Sequence, residues 1–123
     1  REGDFMQPTG YTCAHELLSL EQPPTAVFVS SDLMAFGLME AIRDRGLQIP
    51  RDISIVGFDD IPQAIHVHPP LTTVRQPLEE MGRVAAQLLL SYIEDPDRAV
   101  ERIELPTELI IRESCQAPRV EDQ

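Results

Sequence analysis

Short, continuous apolar runs alternate along this chain with longer stretches whose apolar residues recur at helical spacing. Ala26-Val27-Phe28-Val29 is apolar throughout, as expected of a strand buried on both faces. Ser30-Ser31-Asp32 then offers N-caps for a helix from Leu33 to about Arg45, with Arg43 and Arg45 in its last turn and Gly46 just past its end. Ile53, Ile55, Val56 and Phe58 mark a second strand, which stops at Asp59-Asp60. Strand, helix and strand in succession form a βαβ unit, whose two strands are parallel and joined by a right-handed crossover. A helix from about Thr9 to Leu20 precedes this unit, with Pro8 near its first turn.

After Pro69-Pro70, Leu71 to Val74 reads as a third strand that stops at Arg75-Gln76. A long amphipathic helix is predicted from Pro77 to about Glu94, with Leu78, Met81, Ala85, Leu88, Leu89 and Tyr92 on one face. Arg102 to Leu105 and Thr107 to Ile111 are strand-like, and Pro106 between them forces an edge position or a bulge. A polar tail begins at Gln116. The fold class that follows is α/β, a mostly parallel sheet flanked by helices.

The parallel arrangement places candidate chemistry. All carboxyl ends of a parallel sheet lie on one side, where open α/β sheets build their ligand sites. Ser31 and Asp32 follow the first strand, Asp59 and Asp60 the second, and Arg75 and Gln76 the third. An ionised Asp59 accepts hydrogen bonds only, which suits the hydroxyls of a neutral polyhydroxy ligand, while Ser31 and Gln76 both donate and accept. Phe5, after a Gly3-Asp4 turn, is a candidate apolar platform for a ring. Each has a plain structural counterpart: Asp32 fits a helix cap, one of Asp59 and Asp60 fits a cap of the turn at Ile61-Pro62, and Phe5 fits a core position.

Composition narrows the classes. A chain of 123 residues is one domain or less, and its 42% apolar share supports a core. No apolar run reaches the length of about 20 residues that a membrane span needs. The opening Arg1-Glu2-Gly3-Asp4 carries no signal-peptide pattern, but it reads as mid-domain and therefore excludes no compartment. Net charge is −11 and no lysine occurs, which argues against direct binding of nucleic acid by this piece. Cys13 and Cys115 lack the spacing of a metal or redox motif, and a structural role suits Cys13 better than a disulfide. His66 and His68 alternate as on a strand, but no cysteine or acidic pair is placed to complete a site with them, so neither a metal nor a cofactor is expected. An Mg²⁺ site at Asp59-Asp60 for phosphoryl chemistry is the enzyme alternative, without a phosphate loop to support it.

Several ordered motifs give the chain a close resemblance to the lactose-repressor/galactose-repressor (LacI/GalR) family of bacterial transcriptional regulators. They are Ser30-Ser31-Asp32-Leu33-Met34-Ala35-Phe36-Gly37, the run from Gly46 to Asp60, Pro70-Leu71-Thr72-Thr73-Val74-Arg75-Gln76-Pro77 with Gly82, and the run from Leu105 to Ser114. The resemblance implies a type I periplasmic binding protein-like fold, with residues 1–115 as part of the C-terminal lobe of an effector-binding domain and 116–123 as a tail. It implies a regulator, not an enzyme, that is cytoplasmic and contacts DNA only through an N-terminal helix-turn-helix outside this chain. Phe5 would stack on the effector, Ser31 would stand where the family often has Asn, Asp59 would grip hydroxyls, and Gln76 would complete the set. A sugar, a sugar phosphate or a nucleobase fits these residues. A periplasmic or transporter-linked sugar-binding protein of the same fold is the alternative.

The family dimerises through this lobe, and the helix pattern is compatible with that. Leu33 to Met39 carries no charge on any side, so a second cover beyond the sheet is required. A partner subunit would cover Met34, Ala35 and Leu38, with Ile65, His66, Val67 and His68 as neighbouring contacts; the rest of the lobe is the other candidate cover.

Overall fold

The computed structural model describes residues 1–118. In chain order the elements are α1 (Gln7–Leu18), β1 (Ala26–Phe28), α2 (Asp32–Asp44), β2 (Ser54–Asp59), a 3-10 turn (Pro62–Ile65), β3 (Thr72–Arg75), α3 (Leu78–Glu94) and β4 (Glu108–Ile110). The strands form one sheet in the order β1-β2-β3-β4. β1 pairs with β2 in parallel with Val27 opposite Ile55, and β2 pairs with β3 in parallel with Asp59 opposite Arg75. The predicted α/β class and the parallel βαβ unit are both present.

The chain divides into two compact units: Arg1–Arg75 with the segment beginning at Leu109, and Gln76–Glu108. The core of the first unit is built on α2, of which Met34 through Met39, Ala41 and Ile42 are buried. Val29, Ile53, Ile55, Ala64 and Leu71, with Ala14 and Leu18 of α1, complete it. Its density depends on close approach of the two helices. A Cβ on Gly37 would lie 2.1 Å from the Gln7 carbonyl oxygen, so only glycine lets α1 sit directly on α2. α1 therefore supplies the second cover that an all-apolar α2 requires.

The sheet is buried less completely than the apolar runs suggest. Ile55 and Gly57 of β2 are buried, but Ser54, Val56 and Phe58 on the other face are half-buried. Phe28, in register with Val56, is 62% exposed and meets Phe58 edge-on at 6.4 Å. A continuous apolar run is compatible with two covered faces without demanding them.

The return segment is stitched to the sheet by side chains. Ser114, fully buried, accepts from the Thr72 N–H at 2.8 Å and donates to the Ile55 carbonyl at 2.6 Å. Gln116 continues this, its N–H donating to Ser54 Oγ at 3.2 Å, so the start of the predicted tail is tethered. The rest of that tail, 119–123, lies outside the described residues.

In the second unit α3 runs close to its predicted limits. Glu79 and Glu80 in its first turn suit the helix dipole, and Arg83 pairs with Glu80. The Tyr92 hydroxyl accepts from the Glu101 N–H at 2.6 Å, closing the turn after the helix. Arg102 to Leu105 forms no strand; only the segment after Pro106 does, and β4 takes the sheet edge that Pro106 foretold.

Candidate functional site

The first turn of α2 organises the strand ends. Ser31 is its N-cap residue, 3% exposed, with extended backbone and no side-chain cap. Asp32 is the first helical residue and is fully buried. Its Oδ1 accepts from the Thr73 hydroxyl at 2.6 Å and its Oδ2 from the Ile61 N–H at 3.0 Å. One carboxylate thus joins the start of α2, the turn after β2 and the strand β3. Gly57 makes room for it, since a Cβ there would lie 2.2 Å from Asp32 Oδ1. Burial pushes the Asp32 carboxyl up, the bonds from Thr73 and Ile61 oppose this, and the nearby Asp59 and Asp60 add to the rise. The cap expected at Asp32 is in fact a tie between three elements.

The two aspartates after β2 differ in role. Asp59 ends the strand with φ 117 and is half-buried. Asp60 follows with φ 55 and turns inward, its side chain 6% exposed. It accepts from Arg75 Nε at 2.6 Å and from Arg112 Nη2 at 2.5 Å. Burial alone would raise its pKa, but the Arg112 and Arg75 guanidiniums outweigh burial and hold it below the usual carboxylate range. Neither aspartate is needed to cap Ile61, whose N–H goes to Asp32.

Phe5 is 61% exposed and has φ 66, a left-handed backbone that costs a bulky residue free energy. Its N–H donates to the Met34 sulfur at 3.2 Å, so it too is anchored on the first turn of α2. Phe5 is thus tied to Met34, and the turn that follows Asp59 is tied to Asp32 through Ile61. Gln76 follows Arg75 as the first residue of the second unit.

Residues 1–115 match the periplasmic binding protein-like domain family. The chain belongs to that family. It is 42% identical over 119 residues to the HTH-type transcriptional repressor PurR of Haemophilus influenzae (strain PittEE), an alignment covering 94% of this chain and 35% of PurR. The chain thus spans about a third of the length of the curated relatives it matches. Among solved structures it resembles a LacI family transcriptional regulator from Enterococcus faecalis V583 with bound ribose (TM-score 0.84, 38% identity, 93% of this chain and 42% of that one). It also resembles a dimeric Lac repressor (TM-score 0.87, 35% identity, 96% and 43%). The resemblance to LacI-type regulators read from the motifs is borne out by these relatives.

The residues expected to meet a partner subunit fall into two groups within this domain. Met34, Ala35 and Leu38 are buried inside the chain, where α1 lies over α2. Ile65, 57% exposed, and the exposed His66 and His68 lie on the surface, with Val67 half-buried. Beside them a groove is lined by Leu33, Phe36, Met39 and Val67 together with Gln7, Arg43 and Gln63. His66 caps the 3-10 turn, so the strand alternation expected for His66 and His68 does not occur. Among the described residues no group of three His, Cys, Asp or Glu is placed to hold a metal, and no helix is long and apolar enough to cross a membrane. Cys13 and Cys115 are both free thiols.

Sequence reasoning missed the roles of Arg112 and Ser114. Both stand in a motif that carried the family resemblance, but a bond spanning 52 residues to Asp60 leaves no periodic signal.

Proposed function

We propose that this domain is the effector-sensing part of a LacI-type transcriptional regulator, with a sugar-like ligand held by Phe5, Ser31, Asp59 and Gln76. The observation that carries the reading is the placement of backbone strain. Among the described residues, the non-glycine positions with positive φ are Phe5, Asp59 and Asp60. Such conformations cost about 1–3 kcal/mol each and cluster at ligand sites, where they aim a side chain that a relaxed backbone would direct elsewhere. Phe5 offers a ring face for stacking on a sugar's apolar side, and Asp59 offers acceptors for its hydroxyls. The ribose held by the Enterococcus faecalis regulator supports a sugar-like ligand.

In this reading residues 1–115 belong largely to a C-terminal lobe, ligand binding biases the lobes of the complete regulator, and a dimer passes the change to DNA-binding heads outside this chain. The dimer uses the surface around Leu33 and Ile65. The protein acts in the cytoplasm and is not an enzyme. An Mg²⁺ ion at Asp59-Asp60 would have to sit against the Arg75 and Arg112 guanidiniums that Asp60 already holds.

A calorimetric titration of the full-length regulator with a panel of pentoses, hexoses, their phosphates and nucleobases tests the assignment. Asp59→Ala is expected to weaken the ligand found by about 2 kcal/mol, the range for hydrogen bonds to a charged group, while operator affinity without ligand is retained. Undiminished ligand affinity in that variant would remove Asp59 from the site.

A further inference from the structure

Asp60 grips two guanidiniums that reach it from opposite ends of a long excursion of the chain. Arg75 is the last residue of the first unit before residues 76–108, and Arg112 lies in the segment that returns at Leu109. Both donate to the same carboxylate, Arg75 to Oδ2 and Arg112 to Oδ1. Arg112 is 14% exposed and fixed a second time, its Nη1 donating to the Leu71 carbonyl at 2.7 Å. Its backbone N–H donates to Thr72 Oγ1 at 2.9 Å, which holds the return segment against β3. Asp60 itself stands in the left-handed backbone region, and its side chain is 6% exposed. A charge this buried, held by two charge-assisted bonds, is stable only while its partners stay in place.

We propose that Asp60 is a positioning residue: it locks the exit of the 76–108 excursion to its return and ties both to the turn that presents Asp59. The three side chains act as one clamp, because loss of either arginine leaves a largely buried charge short of a partner. A ligand that moves Asp59 then moves both crossings together; this last link rests on the effector reading above, whereas the clamp itself does not.

The test uses segment-resolved hydrogen exchange on the full-length regulator with no ligand added, so failure of the effector assignment leaves it interpretable. In Asp60→Asn, amides of Thr73–Gln76 and Leu109–Arg112 are expected to exchange at least about tenfold faster, while α2 and Ile53–Ile55 stay within about twofold. Arg112→Lys keeps the charge but loses the fork, and should give a smaller rise in the same two segments. Combining Asp60→Asn with Arg112→Gln should add little to either change alone, as for partners in one unit. Where Asp60→Asn fails to fold, the half-exposed Arg75→Gln serves in its place, with faster exchange expected at Thr73–Gln76. Unchanged exchange at both segments, or a uniform rise across the first unit, would overturn the proposal in favour of a merely stabilising ion pair.

Discussion

A carboxylate withdrawn from water must be matched by donors, and Asp32 finds two, the Thr73 hydroxyl and the Ile61 amide. Its protonation is therefore part of the energetics of the site. Burial raises its pKa above the ordinary 3.8, so its contribution to stability is fully present below that value and is lost as pH rises through the folded pKa. Thr73→Val removes a donor from the charged form and leaves an oxygen unmatched, at a cost of about 1–3 kcal/mol. The penalty should be larger at a pH above the raised folded pKa, where the carboxylate is ionised, than at a pH below the ordinary 3.8, where it is protonated. Urea denaturation of the full-length protein at the two values measures this. An equal penalty at both would mean that the hydroxyl acts by packing and not by serving the charge. Asp60 has the opposite sign. Its pKa is depressed, so what it contributes is present above 3.8 and lost as pH falls through its lower folded value.

The two helices α1 and α2 pack unusually closely. Gly37→Ala places a methyl 2.1 Å from the Gln7 carbonyl oxygen and 2.6 Å from the Tyr11 nitrogen, both backbone atoms that cannot rotate aside. A loss of about 1–3 kcal/mol is expected, typical of overpacking, together with displacement of α1 from α2. A denaturation midpoint unchanged by this substitution would show that the helix pair has slack. This contact also marks how far the sequence could be read. Element order and the parallel βαβ unit were legible because apolar periodicity and capping residues are local signals. The exposed face around Phe28 was not, because an apolar run does not say how many of its sides are covered. Nor was the division of labour between Asp59 and Asp60. Adjacent identical side chains differ in backbone dihedrals and in long-range partners, such as the Arg75 and Arg112 that Asp60 holds. Ser31 and Asp59 could be placed at strand ends by topology alone, but the anchoring of Phe5 on Met34 depends on a long-range contact that no spacing announces.

At the scale of the whole molecule the question is which apolar surface serves the fold and which stays exposed. Leu38 is 3% exposed and is consumed by the core beneath α1, whereas Leu33 is 38% exposed and Ile65 more so. A charge introduced at these positions should therefore have separate consequences. Leu38→Asp buries an unpaired carboxylate in the core and is expected to lower stability by more than about 3 kcal/mol, which would look like a dimer defect only because the protein unfolds. Ile65→Asp and Leu33→Asp place the same charge in water in the monomer, where surface substitutions cost about 0.5 kcal/mol or less. If that surface is the interface, the dimer must desolvate the new carboxylate, and the dissociation constant should rise by about tenfold or more. Sedimentation equilibrium of the full-length regulator, paired with a thermal melt of each variant, separates the two effects. Dimers as tight as the parent's in both Leu33→Asp and Ile65→Asp would move the interface elsewhere. Weakened dimers with an unchanged melt would instead place it on the groove between α2 and the 3-10 turn. That groove and the Asp59 turn share one anchor: α2 lines the groove and, through Asp32, holds the turn. A ligand-induced shift at one would then be felt at the other through a single helix.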